Sequence, residues 1–157
     1  MNTTKLVAEP GQKTILIERE FDGPRHLLWK AMTTPDLVKR WWGPRSNEMI
    51  ECTMDVRVGG QWRFLVSACG NPPIAFYGEY REIVPNEKVV QTFIYEPYPQ
   101  APALETMTLH DLPNGRTLMK VVHDCVSIEA RDGMFNSGME GGMRETHDRL
   151  DELVKTL

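Results

Sequence analysis

The chain has 157 residues and a formal net charge of −4; 41% of its residues are hydrophobic and 25% are charged. This composition is typical of one globular domain that buries a single core. Lys and Arg are scattered along an acidic chain, so a nucleic-acid-binding surface is not expected. No apolar run approaches the roughly 20 residues of a membrane span, which argues against membrane insertion.

The three cysteines, Cys52, Cys69 and Cys125, are widely spaced and odd in number. This usage predicts free structural thiols in a reducing compartment, and the first residues contain no apolar stretch of signal-peptide length. We therefore expect a cytoplasmic location. The sequence has no Cys-x-x-Cys pair, which argues against a zinc knuckle, and no motif indicates a cofactor.

Residues 1–12 are predicted to form a flexible N-terminal tail, followed by a single domain over residues 13–157. Hydrophobic residues alternate from residue 15 to residue 21, which predicts a strand because side chains alternate between the two faces of a strand. One face of this strand carries Ile15, Ile17, Arg19 and Phe21.

Two short helices are predicted after this strand. Pro24 precedes apolar residues at helical spacing and favours a helix start. Thr34 and Pro35 resemble an N-cap followed by proline in the first turn of a second helix. The Gly43-Pro44 pair ends that helix directly after the two adjacent tryptophans of "KRWWGP".

Residues 48–124 change to short alternating runs separated by turn signals, which predicts about six more strands in an antiparallel meander. Gly59-Gly60 separates two such runs and is typical of a hairpin. Further turns are predicted at 70–73, 85–87 and 113–115, and the proline-rich segment 96–103 is predicted to be a loop.

Residues 134–157 predict a long amphipathic C-terminal helix. Its apolar stripe contains Phe135, Met139, Met143, Thr146, Leu150, Leu153, Val154 and Leu157, and the opposite side carries Glu145, Asp148, Asp151, Glu152 and Lys155. Glycines in its first half indicate either a kinked start or space between helix and sheet. The predicted fold is α+β: a curved antiparallel sheet around a long C-terminal helix, with two short helices after the first strand.

Four segments in order resemble the family related to the activator of heat-shock-protein-90 ATPase. They are "FDGPRHLLWKAMTTPDLVKRWWGP", "DVRVGGQWRF", "YGEYREIVPNEKVVQTF" and "GMEGGMRETHDRL". The resemblance implies a helix-grip fold of the START-like (polyketide cyclase/SRPBCC) superfamily, in which sheet and helix enclose an apolar cavity. One departure is Met143, where relatives often carry Trp.

The first functional prediction is a binding protein for a small apolar or amphipathic ligand, held between the sheet and the C-terminal helix. The predicted wall is Trp62, Phe64, Tyr80, Met107, Met119, His123, Met139 and Met143. The predicted pocket mouth is Trp41, Trp42 and Tyr98. Which of the two tryptophans packs as core and which covers the mouth stays open.

Two alternatives remain. A cyclase- or dehydratase-like enzyme of the same superfamily would use His123 as acid or base, although a satisfied core or rim histidine is the favoured interpretation of this residue. A chaperone ATPase cofactor would act through its surface, with the chaperone as its partner. The sequence is also compatible with a homodimer. The three His-Asp neighbours in the sequence do not predict a metal site, because adjacent side chains diverge on strands and helices.

Overall fold

The computed structural model describes residues 2–68 and 70–157. Its eight strands form one antiparallel sheet in the order β1-β2-β8-β7-β6-β5-β4-β3. The strands are β1 Lys5–Val7, β2 Thr14–Phe21, β3 Asn47–Met54, β4 Gln61–Ala68, β5 Ile74–Val84, β6 Lys88–Tyr95, β7 Ala103–Leu112 and β8 Arg116–Asp124. The helices are α1 Arg25–Thr33, α2 Pro35–Trp41, α3 Ile128–Met134 and α4 Glu140–Val154.

The sheet is the predicted meander with the first long strand added at its far side. Strands β3 to β8 pair with their neighbours in sequence, and β2 pairs with β8 through Ile15↔His123 and Ile17↔Val121. Bulges between Met49 and Glu51 on β3, and at β5, interrupt the ladders and bend the sheet. The helix-grip prediction is confirmed: a curved antiparallel sheet faces a long C-terminal helix, with two short helices after β2.

The prediction of a flexible tail over residues 1–12 is wrong for its middle part. Lys5–Val7 form an edge strand on β2, with Leu6 opposite Ile17, and Thr4 is 2% exposed. Three residues are too few to show an alternating pattern in the sequence. The strand is held instead by the backbone ladder and by the burial of Thr4 against α4, which the sequence pattern does not reveal.

The C-terminal helix starts earlier and ends earlier than predicted. Helical backbone runs from Ile128 through a π-helical segment, Phe135–Met139, into α4, which ends at Val154. Gly138 has φ +87°, a left-handed conformation that glycine adopts without a Cβ penalty. Of the two interpretations of the glycines, the kinked start is therefore confirmed. Leu157 lies beyond the helix and is 37% exposed.

The core lies between the concave face of the sheet and the helices. Helix α4 contacts α1 and α2, while α1 lies against β7 and α3 against β2. The buried hydrophobic residues include Ile15, Ile17, Phe21, Leu28, Val38, Trp41, Trp62, Phe64, Met107, Met119, Val121, Leu150 and Leu153. This arrangement leaves α2 above the middle strands, where the candidate site is found.

Candidate functional site

The two adjacent tryptophans have different roles. Trp41 is 7% exposed, and its indole Nε1 donates to the carbonyl of Ala31 at 2.9 Å, so it fastens α2 to α1. Trp42 is half-buried and turns toward the sheet, with its ring 5.1 Å from Phe64 and 5.0 Å from Phe76 in edge-to-face contact. Trp42 is therefore the tryptophan that covers the aromatic side chains of β4 and β5.

Helix α4 holds the end of α2 in place. Arg149 Nη1 donates to the carbonyl of Gly43 at 2.7 Å, and Nη2 donates to that of Arg40 at 2.9 Å. Gly43 has φ +88°, the left-handed conformation that ends many helices. A guanidinium at the C-terminus of α2 satisfies carbonyls that the helix leaves free. Trp41 and Trp42 are thus presented from a fixed turn.

A cavity of about 80 Å³ lies between α1, α2 and the concave face of the sheet. Its wall is mostly apolar, with polar side chains on the sheet side. The lining residues are Met32, Thr33, Val38, Trp41, Trp42, Met54, Phe64, Tyr80, Val89, Gln91, Glu105 and Met107. This mixture of aromatic walls and a few polar groups is typical of small-molecule sites.

Four polar side chains form a row across the sheet side of this region. Tyr80, Gln91, Glu105 and His123 are successive partners on β5, β6, β7 and β8. Gln91 Nε2 donates to Glu105 Oε1 at 3.2 Å. Burial raises the pKa of Tyr80, with the Cys52, Asp55 and Glu105 side chains adding to the shift, so its phenol stays neutral.

His123 is the unsatisfied member of this row. It is 2% exposed, and neither ring nitrogen makes a hydrogen bond. Its Nε2 lies 3.2 Å from Glu105 Oε2 without the alignment that a hydrogen bond requires, and Phe93 meets its ring edge-on at 5.6 Å. A buried imidazole without hydrogen bonds carries a desolvation cost of about 1–3 kcal/mol.

Trp62 Nε1 is a second buried donor without a partner. The indole lies over Gly78, its cross-strand partner on β5. A Cβ at Gly78 would approach Trp62 Nε1 to 2.8 Å and the carbonyl of Thr92 more closely still. Glycine is therefore needed here for close approach, and the Trp62 ring lies beside Phe64, with the two ring centroids 4.8 Å apart.

The structure brings part of the predicted site together. Among the predicted residues, those that line the cavity are Trp41, Trp42, Phe64, Tyr80 and Met107. Trp62, Met119 and His123 are buried on the same face of the sheet but outside the cavity lining. Tyr98 is 60% exposed in the proline-rich loop, with its ring 5.8 Å from Tyr95.

The helix wall expected from the sequence lies elsewhere. Met139 and Met143 are half-buried against the core but do not line the cavity, whose upper wall is α1 and α2. The reason is the break at Gly138, which separates the two halves of the C-terminal helix. The kinked start moves this part of the helix away from the middle of the sheet.

Gln91 and Glu105 are cavity residues that the sequence analysis missed. Glu105 has the same strand parity as Met107 and the buried Leu109, so the alternation of β7 places its carboxylate inward. The alternation along β7 is therefore a signal in the sequence that places Glu105 on the inward face. Gln91 shares its parity with buried Val89 on β6 in the same way.

A second buried polar cluster lies between β2 and α4, where Asp151 faces the sheet rather than the solvent side predicted for it. Arg19 Nη1 donates to Asp148 Oδ1 at 2.7 Å, and Nη2 donates to Asp151 Oδ2 at 3.3 Å. Thr4 Oγ1 and His147 Nδ1 are hydrogen-bonded at 3.0 Å. Burial, assisted by the Arg19 charge, lowers the pKa of His147 to about 3, so the imidazole is neutral.

The two thiols in the described part of the chain, Cys52 and Cys125, carry no sign of reactivity. Burial raises the pKa of Cys52 to about 11, and burial also raises the pKa of Cys125. Both are free thiols; Cys69 lies outside the described residues. Within residues 2–68 and 70–157, no three His, Cys, Asp or Glu side chains converge as metal ligands.

A wider surface depression of about 250 Å³ lies at the start of β7. Its lining includes Lys13, Ala103, Asp124, Cys125 and Val126. Val126 is 48% exposed, and the described residues that line this depression include no aromatic side chain. The cavity under Trp42, which four aromatic side chains line, is therefore the better candidate site.

The family comparison agrees with this geometry. Residues 22–155 match the family described as "Activator of Hsp90 ATPase homolog 1-like protein". The chain belongs to this family. No curated protein matches the sequence.

Solved structures share the fold over nearly the whole chain. A Rhodobacter sphaeroides protein is 25% identical with a TM-score of 0.86, covering 98% of this chain and 99% of its own. A Mycobacterium smegmatis protein is 20% identical with a TM-score of 0.85, covering 96% of both chains. An Arthrobacter aurescens protein is 20% identical with a TM-score of 0.84, covering 98% and 92%. In the part of this chain that the structure describes, no helix has the length and apolar character to cross a membrane.

Proposed function

We propose that this member of the family binds a small apolar or amphipathic ligand in the cavity beneath Trp42. The observation that carries the proposal is the cavity itself: an aromatic and methionine-rich wall that opens onto Gln91 and Glu105. Apolar walls supply most of the binding energy in such sites, and a few polar groups orient the ligand. Trp42, which is half-buried, is the residue that covers it.

The size of the cavity limits what is bound. Its volume of about 80 Å³ is below the roughly 300–1,000 Å³ of ordinary ligand pockets. The cavity therefore takes one end of a ligand or a single small group, and a larger ligand requires Trp42 to swing away from Phe64. Methionines at the wall, Met32, Met54 and Met107, adapt to such a change because their side chains are flexible.

Filling the cavity is the direct test. We expect 1-naphthol, a small neutral amphipathic aromatic, to bind with a measurable heat, and Val89→Phe to weaken that binding at least tenfold. Met32→Phe fills the opposite wall and serves as a second variant if Val89→Phe folds poorly. Circular dichroism and melting curves identify variants that have lost the fold.

Met143→Trp is the matched control for this test. It adds a large ring to the C-terminal helix outside the cavity lining, so we expect 1-naphthol affinity to stay within about twofold of the wild type. If Met143→Trp abolishes binding and Val89→Phe does not, the ligand lies under the helix instead. Native mass spectrometry that never finds a bound molecule, with no binding of 1-naphthol, contradicts the proposal.

A second candidate is acid–base catalysis, and the buried pair of His123 and Glu105 favours it. An imidazole 3.2 Å from a carboxylate, close to a cavity, is an arrangement that can take a proton from the carbon next to a carbonyl group. The measurement is exchange of the α-protons of 1-indanone in D₂O. Exchange that exceeds the buffer rate and disappears in His123→Leu supports catalysis; exchange at the buffer rate removes it.

We also propose a cytoplasmic location. The support is that the described thiols, Cys52 and Cys125, are free and have raised pKa values, as expected of structural cysteines in a reducing compartment. Labelling of intact cells with a membrane-impermeant maleimide is expected to leave the protein unmodified. Labelling without lysis would contradict this location.

A further inference from the structure

Among the described residues that line the cavity, one has a negatively charged side chain and none has a positively charged one. Glu105 and Tyr80 are the ionisable residues among those that line it, and Tyr80 is a neutral phenol because burial raises its pKa. The Glu105 side chain is 20% exposed. Gln91 holds one carboxylate oxygen by a hydrogen bond, which fixes the group at the sheet side of the cavity without neutralising it.

Glu105 lacks the cationic side chain that the other inward-facing carboxylate has. Asp151 is 6% exposed and is paired with the Arg19 guanidinium. Among the described residues, the basic side chain within 4 Å of the Glu105 carboxylate is the imidazole of His123, and neither ring nitrogen of His123 makes a hydrogen bond. A partly buried carboxylate without a lysine or arginine favours an incoming cation.

The remaining wall also favours a cation. Four aromatic side chains line the cavity: Trp41, Trp42, Phe64 and Tyr80. The face of an aromatic ring is electrostatically negative, and several rings around one carboxylate form the kind of cage that holds alkylated ammonium groups. Methionine sulfurs from Met54 and Met107 are polarisable and add to this attraction.

We propose that the ligand of this cavity is an organic cation, an alkylated amine or ammonium group attached to an apolar body, with Glu105 as its counter-ion. This inference rests on the proposed function, because it names the chemical class that the same cavity takes. The ammonium end lies against Glu105 and the aromatic rings, and the apolar body extends beneath Trp42. An anionic amphiphile is disfavoured, because its charge would be placed beside Glu105.

Three probes of similar size but different charge test whether affinity depends on the charge of the ligand or on its shape. They are phenyltrimethylammonium, its neutral isostere tert-butylbenzene and the anion benzoate, each measured by quenching of tryptophan fluorescence and by calorimetry. We expect the cation to bind at least tenfold more tightly than the neutral isostere, and benzoate to bind most weakly. The preference is expected to fall with added salt less than a surface interaction does, because the site is enclosed.

Glu105→Gln tests the counter-ion, and its shape is nearly unchanged. We expect the affinity for phenyltrimethylammonium to fall about tenfold, while that for tert-butylbenzene stays within twofold. Glu105→Asp, which keeps the charge, is expected to retain part of the preference for the cation. The matched control is Glu51→Gln, which removes an exposed carboxylate paired with Arg63 on β3 and is expected to change neither affinity.

The outcomes distinguish this inference from the function on which it rests. If tert-butylbenzene binds as tightly as the cation, the cavity binds ligands but does not select cations, and this inference fails alone. If Glu105→Gln keeps the full preference, Glu105 is not the counter-ion and the inference also fails. If none of the three probes binds, the proposed ligand-binding function fails with it.

Discussion

His147 and His123 are both buried against the concave face of the sheet, with exposed fractions of 3% and 2%. Their surroundings are opposite. His147 shares a hydrogen bond with Thr4 within a network that includes the Arg19–Asp151 ion pair, and Phe21 packs edge-on against its ring. His123 makes no hydrogen bond, although Glu105 lies 3.2 Å away.

The two histidines therefore belong to clusters with different roles. The cluster around His147 stabilises the fold, and the cluster around His123 is available for binding. The polar groups around Arg19 join β2, α4 and the N-terminal segment, and nearly every charge there has a partner. The row from Tyr80 to His123 joins strands that the sheet already holds in register. The unmet hydrogen bonds of His123 therefore lower the free energy of unfolding and hold no strand or helix in place, as is common for residues of a functional site.

Breaking the Arg19 cluster is expected to have the largest effect on stability. Arg19→Met leaves Asp151 buried without its main cation, and removing one partner of a buried ion pair costs about 3–5 kcal/mol. Urea denaturation of the variant measures the loss of unfolding free energy. Arg57→Met is the control: it removes an exposed pair with Asp55 and is expected to cost at most about 1 kcal/mol. Equal losses in the two variants would contradict this interpretation.

The pH dependence of stability isolates His147. Its folded pKa of about 3 lies below the ordinary 6.5, so the unfolded chain takes up the proton first and stability falls as the pH drops below 6.5. Between pH 6.5 and 4.5 this one residue is expected to cost about 2–3 kcal/mol. His147→Gln cannot titrate, so its unfolding free energy should fall less steeply over that range. Parallel curves for the variant and the wild type would count against a neutral His147.

Replacing His123 by an apolar residue is expected to have the smallest effect. His123→Leu removes two unsatisfied ring nitrogens and keeps a similar volume, so the unfolding free energy should stay within about 1 kcal/mol of the wild type or rise. His147→Leu is the paired measurement and should lose more, because the Thr4 hydroxyl loses its hydrogen-bond partner on α4. A large loss in His123→Leu would mean that the row of polar side chains is structural.

The sequence predicts which strand residues of the two clusters face the core, because that depends on local periodicity. Alternation along β2 places Arg19 with Ile15 and Ile17 on the buried face, and the structure agrees. Alternation along β8 likewise places His123 inward with Met119 and Val121. Alternating patterns predict burial correctly because each residue of a strand faces one of the two sides of the sheet.

What the sequence does not predict depends on contacts between distant elements. Asp151 lies on the polar side of the helix by spacing, but it is buried because Arg19 arrives from β2. The cavity lies under α2 rather than α4, since the break at Gly138 and the attachment of Arg149 to the α2 turn decide where each helix sits. The unsatisfied state of His123 follows from cross-strand register, which local pattern cannot reveal.

The pairing of β2 with β8 has a consequence for how the chain folds. Ile17 meets Val121, and Arg19 meets side chains of α4, so the earliest long strand finds its partners only in the last part of the chain. Contacts between residues so far apart in sequence slow folding, because the intervening loop must close first. During synthesis, β2 therefore emerges before β8 and α4. The edge that later pairs with β8 is then uncovered, and Arg19 does not yet have Asp148 and Asp151 as partners. Closure requires that β8 and α4 have been synthesised, and a delay before they emerge favours aggregation through β2.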